Sequence, residues 1–123
     1  MIGVVRVQVL IVDDNPKIID LFKNFFELKG IDIDFLSSGK DVLEVAKEKN
    51  VKFIILDMAM PNYDGFYALK KLKEDNYNMA NVIVLTAAEL SNNEKNEIRE
   101  YGVKEFLEKP VRLNYLLNII ESG

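Results

Sequence analysis

Cysteine and histidine are both missing from this 123-residue chain. Without cysteine there is no disulfide framework and no thiolate metal site. Without histidine there is no imidazole ligand, no histidine base and no phosphohistidine carried by the chain itself. No apolar stretch approaches the length needed to span a bilayer, and no basic segment leads into a signal-like apolar core at the N-terminus. A soluble cytoplasmic protein without a membrane partner is therefore expected. Charge of one sign is also scarce: the net charge is −4, with basic residues scattered among acids, so direct nucleic-acid binding is not expected. No G-x-G-x-x-G follows the first apolar run, which argues against dinucleotide binding. Repeats, low-complexity tracts and linkers are absent as well.

What is present is ordinary globular material, 49% hydrophobic and 29% charged, in a length that suits one domain over 1–123 with one compact core. Apolar runs recur at Val7 to Val12, Ile31 to Leu36, Phe53 to Leu56, Val82 to Leu85 and Phe106 to Leu107. Helical patterns lie between them, which predicts an open α/β sheet of five strands. After Asn15 as cap and Pro16 as first helical residue, Ile18, Leu21, Phe22 and Phe25 repeat at helical spacing, and Gly30 stops the helix. Further helices are expected over Lys40 to Lys49, after Asp64-Gly65 with Phe66, Leu69 and Leu72 inward, and after Pro110 with Leu113, Leu116, Leu117 and Ile120 inward. The segment Ser91 to Tyr101 offers little to a core beyond Ile98 and Tyr101. Its apolar stripe is narrow, and a weakly held helix is expected there.

Three carboxylates dominate the chemistry. Asp13 and Asp14 end one apolar run and Asp57 ends another, and in parallel sheets buried on both faces ligands gather beyond the carboxyl ends of the strands. Three acids at one sheet edge repel one another unless a cation sits among them, which points to a hard divalent metal, Mg²⁺. Thr86 and Lys109 close later strands and add a hydroxyl and an ammonium. Acid, metal, hydroxyl and ammonium are the groups phosphoryl chemistry uses.

Val12-Asp13-Asp14, Asp57-Met58-Ala59-Met60-Pro61 running into Asp64-Gly65, Thr86-Ala87, and Gly102 through Phe106 to Lys109-Pro110 follow in order. In this the chain resembles the receiver domain of response regulators in two-component signalling and is similar in size to the stand-alone chemotaxis receiver. The resemblance implies a doubly wound, flavodoxin-like parallel sheet in strand order 2-1-3-4-5 with helices on both faces. It implies that Asp57 is the phosphoacceptor, taking a phosphoryl group from a partner histidine kinase or phosphotransfer protein. Asp13, Asp14, Asp57 and the backbone carbonyl of Ala59 would hold Mg²⁺. The family places the side chain at position 59 near the path of the attacking water, so an alanine there bears on autodephosphorylation. Thr86 and Lys109 would bind phosphoryl oxygens, Ala87 would leave room for the group, and the Lys109-Pro110 bond would be cis. Phe106 takes the place of the aromatic switch residue.

Beyond self-phosphorylation and autodephosphorylation, no enzyme activity is implied. Phosphorylation is expected to bias the loop after Thr86, the weak helix and Phe106. The output face, bearing exposed Tyr101, Tyr115 and Ile119, would then meet a downstream effector, a fused output domain or a second copy in a homodimer. Two other classes stand beside this reading. A Mg²⁺-dependent phosphohydrolase with an aspartyl-phosphate intermediate uses an Asp-x-Asp nucleophile on its first strand, whereas Asp13 and Asp14 are adjacent. A degenerate, phosphorylation-independent receiver usually lacks an acid, the acceptor or the lysine, and none is lacking here.

Overall fold

The computed structural model describes residues 7–86 and 89–122, so Ala87 lies outside the described residues. Five strands, β1 (Val9–Val12), β2 (Ile33–Leu36), β3 (Phe53–Asp57), β4 (Val82–Thr86) and β5 (Glu105–Glu108), alternate with five helices, α1 (Pro16–Leu28), α2 (Val42–Glu48), α3 (Gly65–Glu74), α4 (Asn92–Glu100) and α5 (Leu113–Ser122). The strands form one parallel sheet in the order β2-β1-β3-β4-β5, the flavodoxin-like arrangement expected. Val9 pairs with Phe53 and Val12 with Leu56. Asp57 pairs with Leu85, and Thr86 with Glu108.

The three central strands are wholly buried, because helices cover both faces of a parallel sheet. Alternate residues point to opposite faces. Val9, Ile11, Phe53, Ile55, Ile83 and Leu85 pack with Phe22 and Phe26 of α1 and with Leu116, Leu117 and Ile120 of α5. Leu10, Val12, Ile54, Leu56, Val82 and Val84 pack with Val42 of α2, Leu69 and Leu72 of α3 and Ile98 of α4. Phe26 is fully buried, with Phe22 and Phe25 meeting it edge-on. Burial of such a side chain stabilises by about 1.5–3 kcal/mol.

Local signals account for the helix ends. Asn15 caps α1 by accepting from the Lys17 N–H, and Gly30, at a positive φ of 74°, lies just beyond its end, where a left-handed residue satisfies the last turn at no steric cost. Asp64 caps α3 through the Tyr67 N–H. Helix α2 is shorter than its pattern suggested, beginning at Val42. Helix α4 is present, and of its residues only Ile98 is buried. It starts with a capping box in which Ser91 and Glu94 each bond the other's backbone N–H.

Two side-chain placements differ from expectation, and a third is met in part. Leu21 is 52% exposed, because the core stripe of α1 runs through Ile19, Phe22 and Phe26, and position 21 falls outside that arc. Ile119, expected on the surface, is half-buried against one core, and Tyr101, expected to contribute to the core and also to show on the output face, is half-buried against the other. Tyr115 is exposed, as expected.

Candidate functional site

Parallel strands deliver their carboxyl ends to one rim, and strand parity decides which side chains meet there. Asp13 follows Ile11, Asp57 follows Ile55 and Lys109 follows Leu107, each by two residues. All three continue the alternation that faces α1 and α5. Asp13 and Asp57 are only 2% and 4% exposed, the sole buried carboxylates among the described residues. The Lys109 ammonium bridges them, with Nζ 2.9 Å from Asp13 Oδ2 and 3.3 Å from Asp57 Oδ1. The other Asp13 oxygen, Oδ1, accepts from the Asn15 backbone N–H at 2.9 Å.

Burial pushes the Asp57 carboxyl above the usual carboxylate range and the Asp13 charge adds to this, opposed by Lys109 and by a hydrogen bond from the Ala59 backbone. Burial pulls the Lys109 ammonium down, but its hydrogen bond to Asp13 and the charges of Asp57 and Asp13 outweigh it, so its affinity for the proton rises. The lysine stays charged because it answers two buried anions.

Asp14 is exposed at the rim. One carboxylate oxygen from each of Asp13, Asp14 and Asp57 lies within 4.8 Å of the others. Mg²⁺ takes oxygen ligands at about 2.0–2.1 Å in an octahedron and keeps several waters. An all-oxygen set of this span fits that ion, and the chain has neither the imidazole nor the thiolate that zinc sites use.

Thr86 ends β4 and is 2% exposed. Its backbone carbonyl accepts from the Lys109 N–H at 2.7 Å, so the threonine and lysine loops are tied together. The Lys109-Pro110 peptide is cis. Thr86 and Phe106 carry the opposite strand parity from Asp57. Phe106 packs, half-buried, against the core that holds Ile98 of α4. The Arg99 guanidinium lies 5.4 Å from its ring centroid, and Lys95 meets Glu108 at 3.4 Å. The structure therefore gathers Asp13, Asp14, Asp57 and Lys109 into one cluster, sets Thr86 at its edge, and places Phe106 on the far side of the sheet.

The model for the response regulator receiver domain matches residues 9–121. The chain belongs to this family. Among relatives, the receiver is 33% identical over 105 residues to the transcriptional regulatory protein SrrA of Staphylococcus aureus, covering 84% of this chain and 42% of that protein. The receiver thus spans less than half the length of the curated relatives it matches. Among solved structures, it superposes on the receiver domain of the Francisella response regulator 1452 with a TM-score of 0.82, at 33% identity and 95% coverage of both chains. It also matches the signal receiver domain of a putative Luxo repressor from Vibrio parahaemolyticus, with a TM-score of 0.82 at 26% identity, over 95% of this chain and 88% of that one.

Two contributors to the receiver's site were not visible as such in the sequence. The Asn15 N–H that holds Asp13 is a backbone group, and its only outward sign is the turn-forming Asn15-Pro16. Arg99 reads as a solvated helix charge until the fold sets it over Phe106.

Proposed function

We propose that this receiver domain is a phosphorylation-driven switch in which Asp57 is the acceptor. A carboxylate oxygen of Asp57 attacks phosphorus, the new O–P bond forms as the P–N bond of a partner's phosphohistidine breaks, and the leaving imidazole keeps the electron pair and takes up a proton. The donor is a histidine kinase or a phosphotransfer protein, and the exchange takes place in the cytoplasm. An aspartate is ordinarily ionised near neutral pH, and the Lys109 ammonium beside Asp57 favours that form, so the nucleophile needs no separate base. Lys109 and Thr86 bind two of the equatorial phosphoryl oxygens, where donors count most. Asp13, Asp14, Asp57 and the Ala59 carbonyl would hold Mg²⁺, which when bound supplies positive charge against the transferring group. The observation that carries the reading is the bridging of buried Asp13 and Asp57 by one ammonium at the carboxyl rim of the sheet.

Once Asp57 is modified, Lys109 and Thr86 turn toward the phosphoryl oxygens. The change spreads along β4 and β5 to Phe106 and α4, and the face of α4, β5 and α5 becomes the contact for an effector, an output domain or a second copy. Incubation with acetyl phosphate and Mg²⁺ is expected to add one group of about 80 Da, a new dianionic phosphoryl, by intact mass spectrometry. Asp57→Asn is expected to remain unmodified. An unmodified parent chain under these conditions overturns the proposal.

A further inference from the structure

The segment between β3 and α3, residues 58–64, follows the acceptor directly, and the Ala59 backbone within it bonds the Asp57 carboxylate. At its far end it is closed by Gly65, whose N–H donates to the Met58 carbonyl at 3.3 Å and whose missing Cβ would lie 2.7 Å from Met58 Cα and 2.8 Å from the Asp57 carbonyl. A second contact comes from elsewhere in the chain. The loop between β2 and α2 presents Gly39, buried, with its N–H donating to the Tyr63 carbonyl at 2.8 Å. A Cβ on Gly39 would sit 2.4 Å from the Asp64 carbonyl oxygen and 2.9 Å from that of Tyr63. The φ of Gly39 is not in the left-handed region, so contact distance and not backbone conformation demands glycine. Next to it, Lys40 Nζ lies 5.6 Å from the Tyr63 ring centroid, and Tyr63 packs edge-on against Tyr67 of α3 at 4.8 Å.

We infer that Gly39 is a positioning residue for the acceptor site: it lets the β2–α2 loop seat on the backbone of Tyr63 and Asp64 and so fixes the segment that holds Ala59 beside Asp57, with Lys40 on Tyr63 as the second half of the brace. This rests on Asp57 and its neighbours being the metal and phosphoryl site. It concerns a residue that touches no reacting atom. A methyl group at Gly39 cannot enter without moving two backbone carbonyls, since real Cβ atoms essentially never approach so closely. Displacement of a supporting loop by about 1 Å costs up to about a hundredfold in function.

The experiment is a Mg²⁺ titration of the full chain followed by amide NMR at Met58 and Ala59, with far-UV circular dichroism to confirm folding. Gly39→Ala is expected to shift those amides before metal is added and to weaken Mg²⁺ binding at least fivefold. Lys40→Met, which leaves the glycine seat intact, is expected to weaken it about two- to fivefold, the equivalent of about 0.5–1 kcal/mol for an exposed cation–π contact. Gly39→Ala that folds and binds Mg²⁺ within twofold of the parent overturns the inference, even if its melting temperature falls, since a merely structural glycine would lower stability alone. Should Gly39→Ala not fold, unchanged Mg²⁺ affinity in Lys40→Met overturns it. A parent chain that binds no Mg²⁺ overturns the reading of the acid cluster itself, a result distinct from parent and variant binding alike.

Discussion

At the scale of single residues, the site is built against stability. Two buried carboxylates share one ammonium, and the Asp57 carboxyl is held above its ordinary range by burial first and by Asp13 second. A carboxyl whose affinity for the proton is raised by folding favours the fold below its unfolded value, and that contribution is lost as pH rises through the higher folded value. At neutral pH the ionised Asp57 is therefore a burden on the metal-free chain. Asp57→Asn removes the charge and keeps the shape. In EDTA at pH 7 it is expected to be more stable than the parent by about 0.5–2 kcal/mol, the usual range for a single stabilising change, seen as a higher midpoint in thermal melts. The gain should shrink as pH falls through the raised folded value and Asp57 takes up its proton. A parent that melts at or above the variant at pH 7 contradicts this account.

At the scale of elements, α4 stands apart. The other helices contribute at least two buried residues each, whereas α4 contributes Ile98 alone and is otherwise held by Arg99 on Phe106, by Lys95 on Glu108 and by its capping box. Local opening follows from so small an anchorage. Ser91→Ala removes the cap and costs about 1 kcal/mol, which corresponds to roughly fivefold faster hydrogen exchange. The acceleration should be confined to the amides of α4, with β1 and β3 unchanged. Exchange that rises equally in those strands would show α4 to be part of the global unit. The weakness of this helix was readable from its run of polar residues, but its fastenings were not. The partners of Arg99 and Lys95 belong to β5, and nothing in a local pattern names a neighbour across the fold.

For the molecule as a whole, the strands and the acid cluster were legible because a buried parallel strand is an unbroken apolar run and its chemistry sits where the run stops. Val12-Asp13 and Leu56-Asp57 mark such stops directly. Leu21, Tyr101 and Ile119 were harder, since whether a residue one step round a helix meets a neighbour depends on how helices lean on the sheet. The close approach of Gly39 to Asp64 is likewise a property of two loops far apart in sequence. The acid cluster, as the proposed Mg²⁺ site, also predicts a global response. Mg²⁺ that binds only the folded chain stabilises it by about 2.7 kcal/mol at a hundredfold excess over its dissociation constant. The melting midpoint should thus rise with Mg²⁺ and fall back with EDTA. Asp13→Asn is expected to abolish most of this shift, and a full shift in that variant would place the metal elsewhere.

One last consequence comes from the common direction of the five strands. The molecule has one pole where the carboxyl ends and the acid cluster lie, and a quiet pole opposite, where the exposed Glu48 ends α2. Because the chain holds no thiol of its own, Glu48→Cys creates a single handle at the quiet pole. A dye or a surface linker attached there leaves the whole carboxyl rim uncovered.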